Sequence, residues 1–278
     1  MKIFVVSLKN SERRKRFNAQ MEKLNLPFEY FDAVNGKELS AKEVSEYCDE
    51  EALNANPKWL NRGAIGCALS HLHLYKKMVA LDIEKAIIVE DDMVLTDDFV
   101  AIYKFLAEQK NNSEELIQLY YRAFDLVEFS EIGSLAINTK FKIFKPVTLD
   151  DIPTTNGCYY LTKSVASKLV KAISPIRVTA DSWKYFVLKS DFDNIKVIHP
   201  RPVKYSGAKS EIDYHGSYSN IILRIIKLIS DKLNLAPVNF LQEKIRKSIE
   251  RDMSQFKTTN KKSTLKLQKE KLLESASL

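Results

Sequence analysis

Glycine, proline and cysteine are all scarce in this chain of 278 residues. Its seven glycines and eight prolines exclude the collagen-like and low-complexity classes, which need far more of both. The three cysteines, Cys48, Cys67 and Cys158, are odd in number and widely spaced, so they indicate neither a disulfide framework nor a metal-binding spacing. No apolar run approaches the roughly 20 residues that cross a bilayer, so no transmembrane helix is expected.

No secretory leader is expected at the start of this sequence. The apolar run from Ile3 to Val6 is too short for the hydrophobic core of a signal peptide and fits a first core strand better. We therefore expect a cytoplasmic protein. The chain is 45% hydrophobic and 28% charged, which is enough apolar material to bury a core and excludes disorder for the bulk of it.

Excess positive charge is absent from the first 218 residues. The net charge is +7, and 13 of the 43 lysines and arginines follow residue 218 together with only 6 of the 36 acidic residues. Residues 1–218 therefore hold 30 of each sign. An enzyme acting on nucleic acid would more often be basic around its site, so nucleic acid is not an expected partner. We divide the chain into a catalytic domain, 1–218, and a basic tail, 219–278.

The tail combines basic residues with apolar residues at helical spacing. Beyond Pro237 the apolar residues recur every four positions among lysines and arginines, at Leu241, Ile245, Ile249 and Met253. Basic amphipathic helices of this kind suit an anionic membrane surface, and the alternative is a helical pair packed on the body or across a homodimer. The last stretch, 257–278, is polar and lysine-rich and predicts a frayed helix or a disordered end.

Strands alternate with helices along the body of the chain. The predicted strands are Ile3–Leu8, Glu29–Ala33, Ala86–Val89, Glu115–Tyr121, Lys140–Val147, Cys158–Leu161 and Ile195–His199. The predicted helices are Ser11–Leu24, Ala41–Leu53, Phe99–Gln109, Ser164–Ala172 and one within Arg62–Leu81. This alternation predicts an α/β fold with a mainly parallel sheet between helices.

Three consecutive carboxylates, Glu90, Asp91 and Asp92, follow the apolar strand Ala86–Val89. Ligands of open α/β sheets bind at the carboxyl ends of strands. Adjacent carboxylates repel one another unless a cation lies among them, and oxygen ligands suit Mn²⁺ or Mg²⁺. Such an ion completes its shell with substrate phosphates, so the triplet predicts a phosphorylated substrate. The alternative is a solvated acidic loop.

Two further segments support the prediction of a binding site for a phosphorylated ligand. Gly63 and Gly66 fall where a helix begins, which either lets backbone N–H groups approach an anion or allows close packing of a buried helix. His71 and His73 point from different faces of that helix and make no joint metal site. Soon after the first strand, one or two of the basic residues from Arg13 to Arg16 are expected to reach a base or a phosphate, and the alternative for the others is a solvated helix face.

These segments together resemble glycosyltransferase family 25, the sugar-nucleotide-dependent transferases that include bacterial lipooligosaccharide β-1,4-galactosyltransferases. The matching blocks occur in the order of the family within residues 3–185. They are Val6-Ser7-Leu8 with Arg13-Arg14, Phe31 to Lys37, Gly63 to His71, Ile87 to Asp92, and Gly157 to Thr162. Ala64 stands where the family often has Glu, and Asn35 stands where Asp is usual.

The resemblance implies the nucleotide-sugar transferase fold called GT-A, with Asp92 binding Mn²⁺ or Mg²⁺, Glu90 near the metal and the nucleotide ribose, and Asp91 beside them. A later histidine often completes the metal shell, and His199 is the candidate; the alternative is a strand-end residue before Pro200. The residues placed at the nucleotide sugar are Ser7, Leu8, Arg13, Ala33, Val34, Gly66, Ser70, His71, Glu90 and Asp91.

Inverting transfer also needs a base to take the proton of the acceptor hydroxyl. Asp181 is the candidate, with Glu211 and Asp213 in reserve, and the alternative for Asp181 is a helix N-cap. Trp183 and Tyr214 are candidates for stacking on a sugar ring.

The function predicted from these features is inverting transfer of galactose from UDP-galactose to the oligosaccharide of a lipooligosaccharide or lipopolysaccharide. The enzyme would lie on the inner face of the inner membrane. Two other interpretations stay open at this point: a metal-dependent phosphodiesterase, and an inactive relative that binds a membrane or a partner.

Overall fold

The computed structural model describes residues 1–109, 114–123, 125–208 and 255–276. Within these ranges the helices are α1 (Arg13–Leu24), α2 (Ala41–Tyr47), α3 (Glu50–Ala55), α4 (Arg62–Ala80), α5 (Phe99–Glu108), α6 (Lys163–Ile173), α7 (Trp183–Lys189) and α8 (Leu265–Ala276). The strands are β1 (Lys2–Ser7), β2 (Glu29–Asp32), β3 (Lys85–Glu90), β4 (Met93–Leu95), β5 (Leu116–Arg122), β6 (Val127–Ala136), β7 (Lys142–Pro146), β8 (Thr154–Thr162), β9 (Ile195–His199), β10 (Val203–Tyr205) and β11 (Phe256–Thr259).

Nine of the described strands form one sheet in the order β11-β6-β7-β9-β5-β8-β3-β1-β2, and β4 pairs with β10 separately. Strands β7 and β8 run opposite to the other seven, so each is antiparallel to both of its neighbours. The remaining neighbours are parallel, as the alternation of strands and helices predicted. β1 lies between β2 and β3, which brings the carboxyl ends of all three to one edge.

The central strands are apolar along their whole length because both faces of the sheet are covered. On β1, Ile3 and Val5 pack on the side of α1 and α5, while Phe4 and Val6 pack on the side of α4, α6 and α7. The sheet is therefore the middle layer of three. Described helices include none long and apolar enough to cross a membrane.

The helix predicted over Ala41–Leu53 is two helices instead. Asp49 accepts a hydrogen bond from the backbone N–H of Ala52 and so caps the start of α3. α2 ends just before it, where the backbone N–H of Cys48 donates to the carbonyl of Val44. Cys48 also forms a bridge with Ile176, which fixes the chain between the two helices. A local cap and one distant contact thus divide a segment whose apolar pattern is continuous.

The prediction of a frayed or disordered end over 257–278 is wrong for residues 257–276. β11 adds to the sheet beside β6, and α8 follows it. Leu265 is buried, and the ammonium group of Lys269 donates to the carbonyl of Phe192 at 3.2 Å. The polar composition misled the prediction, because the burial of Leu265 and the pairing of β11 with β6 are enough to attach this segment to the body.

The predicted pair of basic amphipathic helices lies outside the described residues, and so do Glu211, Asp213 and Tyr214. The division into 1–218 and 219–278 therefore stays a prediction. Its C-terminal part contains β11 and α8, which belong to the sheet and the core of the body.

Candidate active site

The carboxyl ends of β1, β2 and β3 converge at one edge of the sheet. Ser7 is paired with Asp32, and Val6 with Glu90, so these strands end within one residue of each other. The predicted residues Ala33 and Val34 continue from β2, and the backbone N–H of Ala33 donates to the carbonyl of Ser7 at 2.9 Å. This edge is where open α/β sheets bind ligands.

Asp91 is turned away from solvent and holds the turn between β1 and α1. One carboxylate oxygen accepts from the hydroxyls of Ser7 at 2.6 Å and Ser11 at 2.9 Å, and the other accepts from Arg13 at 3.1 Å. The carbonyl of Leu8 lies in the same turn and accepts from the backbone N–H of Ser11. Asp91 is 6% exposed. Its geometry is that of a positioning residue for the turn.

Asp92 lies in surroundings that disfavour its charge. Burial, with the carboxylate of Glu90 nearby, raises the pKa of Asp92 to about 7, against an ordinary value of 3.8. Its Oδ1 atom is buried without a hydrogen-bond partner. The alternative of a solvated acidic loop is therefore wrong. Carboxylate oxygens of Asp92 and Glu90 fit a hard divalent cation such as Mn²⁺ or Mg²⁺, which would relieve both the repulsion and the unpaired oxygen.

Asp181 belongs to the same acidic group. Burial and the carboxylate of Glu90 raise its pKa, while the hydroxyl of Thr179, which donates to Asp181 at 2.6 Å, opposes the rise. The N-cap position of α7 is occupied by Ser182, so the alternative interpretation of Asp181 as the helix cap is wrong. The structure thus brings together three carboxylates that are separated by up to 91 positions in the sequence.

His71 connects this acidic group to the core. Its ring is fully buried, with Nδ1 2.7 Å from the hydroxyl of Tyr159, which in turn lies 2.6 Å from the hydroxyl of Tyr75. Its other nitrogen, Nε2, lies 3.6 Å from an oxygen of Glu90. His73 is on a different face and packs edge-on against Tyr47. Of these two histidines, His71, which was predicted at the nucleotide sugar, lies beside the acidic group.

Gly66 serves the packing of α4 against the loop after β2. A Cβ atom at Gly66 would lie 2.6 Å from the backbone nitrogen of Gly36 and 2.8 Å from the carbonyl oxygen of Val34. The hydroxyl of Ser70 donates to the carbonyl of Gly66 and accepts from the N–H of Val34 at 2.8 Å. Asn61 caps α4, five residues before Gly66. The close-packing alternative describes Gly66, whose predicted contact with the nucleotide sugar has no support in this position.

The structure does not bring His199 to the acidic group, because β5 and β8 lie between β9 and β3. Its Nδ1 lies 2.8 Å from the hydroxyl of Tyr121, and its ring packs on Phe129 and Phe256. Burial, with Arg201 nearby, lowers its pKa. The strand-end alternative describes His199, and its position gives no support to a role as metal ligand.

Trp183 is also displaced from its predicted role. Its side chain is 1% exposed, its indole N–H donates to the carbonyl of Thr155 at 3.0 Å, and its ring packs edge-on against Tyr159. A buried indole in the core has no face free to stack on a sugar. The apolar run that begins at Trp183 indicated this burial.

Sequence reasoning missed two residues at this edge. Cys67 lies on the same face of α4 as His71, four positions earlier, with its sulfur 4.0 Å from an oxygen of Glu90. Asn156 precedes Cys158, which is the partner of Val89, and both polar atoms of its amide are buried without a hydrogen-bond partner. The spacing of Cys67 and His71 was visible in the sequence, whereas nothing there indicated Asn156.

Thr155, beside Asn156, has a backbone φ of +84°, which a β-branched residue rarely adopts. Such conformations concentrate at functional sites, where the surrounding structure maintains them. The site therefore has three components: an acidic group, a helix face with a thiol and an imidazole, and a strained segment of β8.

The sequence is similar to those of known glycosyltransferases. The sequence model of "Glycosyltransferase family 25 (LPS biosynthesis protein)" matches residues 1–183. A "Putative glycosyltransferase" of Haemophilus influenzae is 31% identical over 194 residues, which is 64% of this chain and 61% of that protein. The "Lipooligosaccharide biosynthesis protein lic2B" of Haemophilus influenzae is 29% identical over 118 residues, 41% of this chain and 43% of that protein.

An animal protein matches a shorter part of the chain. "Procollagen galactosyltransferase 1-B" of Xenopus laevis is 31% identical over 98 residues, 33% of this chain and 16% of that protein. Across the curated relatives, the alignments span between 16% and 61% of the length of each relative. The matched segment of this chain contains the three strand ends and the acidic group, and the chain belongs to glycosyltransferase family 25.

Proposed function

We propose that this chain is an inverting glycosyltransferase that moves galactose from UDP-galactose to a sugar hydroxyl of a lipooligosaccharide or lipopolysaccharide. The observation that carries the proposal is the group of carboxylates Glu90, Asp92 and Asp181 in a chain of this family, where burial and the charge of Glu90 raise the pKa of Asp92 and of Asp181. The names of the relatives support the substrates, since one acts in lipooligosaccharide biosynthesis and another is a galactosyltransferase.

The acidic group divides into a cation-binding part and a positioning part. Asp92 and Glu90 would hold Mn²⁺ or Mg²⁺, and the bound cation would neutralise the diphosphate and stabilise UDP as a leaving group. Glu90 would also face the ribose. The carboxylate of Asp91 already accepts hydrogen bonds from Ser7, Ser11 and Arg13, so it would fix the turn that borders the nucleotide.

Asp181 is the proposed base. The acceptor hydroxyl attacks the anomeric carbon of the donor, the bond from that carbon to UDP breaks, and the hydroxyl proton passes to a carboxylate oxygen of Asp181. Burial and Glu90 raise the pKa of Asp181, which makes its ionised form a stronger base than an exposed aspartate. The general-base contribution of such a residue is about 10² to 10⁴ in rate.

The first test is release of UDP from a panel of UDP-sugars, with and without Mn²⁺, in the presence of a terminal glucoside or N-acetylglucosaminide acceptor. We expect Mn²⁺-dependent release from UDP-galactose by the wild type and only background release by Asp92→Ala. Asp97→Ala is the matched control, because Asp97 is an exposed aspartate five positions away that pairs with Lys23. Asp181→Asn should lose transfer while calorimetry still detects UDP binding.

Two results would oppose this proposal. Metal-dependent hydrolysis of a phosphodiester without sugar transfer would make the chain a phosphodiesterase. Well-folded protein that binds neither UDP nor UDP-galactose with Mn²⁺ present would make it an inactive relative.

We also propose that the enzyme acts at the cytoplasmic face of an anionic membrane. The support is the basic excess after residue 218 and an acceptor carried by a lipid. Replacing Lys244, Arg246, Lys247 and Arg251 with glutamine should weaken cosedimentation with phosphatidylglycerol vesicles and spare transfer to a soluble acceptor. Unchanged sedimentation would exclude these residues as the membrane contact, whereas deleting the whole tail would also remove β11 and α8.

A further inference from the structure

One face of α4 presents a thiol and an imidazole towards a carboxylate of the acidic group. Cys67 and His71 are four residues apart, so they are neighbours on this face. The sulfur of Cys67, a ring nitrogen of His71 and a carboxylate oxygen of Glu90 all lie within 4.8 Å of one another. Two of the distances are 3.6 Å from Nε2 and 4.0 Å from the sulfur, both to Oε1 of Glu90.

The environment of His71 suits an imidazole that binds a metal ion. The ring is fully buried, and Nε2 has no hydrogen-bond partner although it is enclosed. The opposite nitrogen, Nδ1, is held by the hydroxyl of Tyr159, which contacts the hydroxyl of Tyr75. Histidines that bind metals have this arrangement, in which a partner on one nitrogen fixes the ring while the other nitrogen faces the ion.

We propose that Cys67, His71 and Glu90 form a binding site for Zn²⁺. A thiolate, an imidazole and a carboxylate together suit this cation, whereas Mn²⁺ and Mg²⁺ prefer oxygen ligands and disfavour a thiolate. Zinc bonds of roughly 2.0 to 2.3 Å in a tetrahedron place ligand atoms roughly 3.3 to 3.8 Å apart, so small side-chain movements complete the site. On binding, the thiol of Cys67 releases its proton to solvent, and the fourth position stays open for water.

The zinc site shares Glu90 with the proposed donor site, so bound zinc and bound UDP-sugar compete for one carboxylate. This consequence rests on the proposed function, while zinc binding itself does not. Zinc would then inhibit sugar transfer, and a zinc-selective chelator added with excess Mn²⁺ would restore it.

The test is titration of the full chain with Co²⁺, which replaces Zn²⁺ and reports its ligands by absorption. We expect one equivalent to give the near-ultraviolet charge-transfer band of a cobalt–thiolate bond together with visible bands of a tetrahedral ion, all lost on adding Zn²⁺. Cys67→Ser should lose the thiolate band, and His71→Gln should weaken binding more than about tenfold. Cys48→Ser and His73→Gln are the matched controls and should bind as the wild type does.

A wild-type titration without a thiolate band, or a band lost in Cys48→Ser and kept in Cys67→Ser, would overturn the proposal. The wild-type spectrum decides even if a variant fails to fold. A transferase assay on the same preparation separates the two proposals. Cobalt–thiolate absorption without sugar transfer leaves the zinc site standing alone, and transfer that is insensitive to Zn²⁺ with no thiolate band leaves the transferase standing alone.

Discussion

At the scale of single residues, the carboxyl group of Asp92 gives the clearest pH-dependent prediction. Burial and Glu90 raise its pKa from 3.8 to about 7 in the folded state. Below about pH 4 Asp92 is protonated in both states. From pH 4 to 7 the folded state keeps a proton that the unfolded state has lost, so the free energy of unfolding of the cation-free protein falls as pH rises through this range. Urea denaturation at several pH values measures this fall.

Asp92→Asn should remove this part of the pH dependence and make the cation-free protein more stable than the wild type at pH 8. Mn²⁺ should raise the melting temperature of the wild type more at pH 8 than at pH 5, because it stabilises the ionised carboxylate, and should raise that of the variant little at either pH. Equal pH profiles for the two proteins would contradict the placement of the buried charge at Asp92.

Asn156 gives a second prediction at this scale, in which stability and binding move in opposite directions. Its amide is 3% exposed, with neither polar atom paired. Asn156→Leu has similar volume and removes both unpaired atoms, so we expect the free energy of unfolding to rise by about 1 to 3 kcal/mol. We expect calorimetry to show weaker UDP-galactose binding by the variant, because leucine cannot form the hydrogen bonds that we expect the amide of Asn156 to form with the substrate in the wild type. A less stable variant with unchanged binding would show a structural role for Asn156.

The sequence predicted the location of a residue correctly where that residue directly follows a strand that a local apolar run identifies. Glu90 to Asp92 follow β3 directly, so a local apolar run was enough to place them at the edge of the sheet. His199 also ends a strand, but its distance from the site depends on the order of strands, which no local pattern contains. The role of Asp91 could not be predicted either, because its partners Ser7 and Arg13 lie about 80 positions away.

At the scale of elements, the contact between α4 and the loop after β2 determines where the site residues on both can lie. Gly66 allows the helix backbone to approach Gly36 and Val34. Gly66→Ala places its Cβ against backbone atoms, so we expect a loss of about 1 to 3 kcal/mol in urea denaturation. Helix propensity alone predicts a gain of about 0.5 to 1 kcal/mol for this change. A more stable variant would therefore show that the loop moves aside at little cost.

Boundaries of elements were predicted well where caps are local and poorly where a distant segment intervenes. α1, α5 and α6 end within about two residues of their predicted limits because their apolar faces are continuous and end at polar turns. The break between α2 and α3 depends on Ile176, which is more than 100 positions away. β6 was missed for a related reason, since its second half alternates irregularly and is largely exposed at its register shift with β7.

At the scale of the whole molecule, the sheet is completed by the C-terminal end of the chain. Alternating strands and helices predicted the layered α/β arrangement, because each apolar strand needs a cover on both faces. They did not predict β11, a short strand of mixed polarity that adds beside β6. Besides its pairing with β6, one aromatic side chain packs β11 on the body: Phe256 stacks on Phe129 at 5.6 Å and meets Tyr121 edge-on at 4.9 Å.

This attachment gives a prediction that separates the body from the rest of the tail. Phe256→Ala removes the aromatic contacts of β11, and because Phe256 is only partly buried we expect a loss of about 2 to 3 kcal/mol, below the range for a fully buried phenylalanine. Leu267→Ala is the control, because Leu267 is half exposed on α8 and should change the free energy of unfolding by less than about 0.5 kcal/mol. If both variants unfold at the wild-type urea concentration, the aromatic contacts of Phe256 contribute nothing to the stability of the body. If only Phe256→Ala is destabilised, truncations used to test membrane binding must keep this segment, since removing it would unfold the sheet edge and mimic a loss of function.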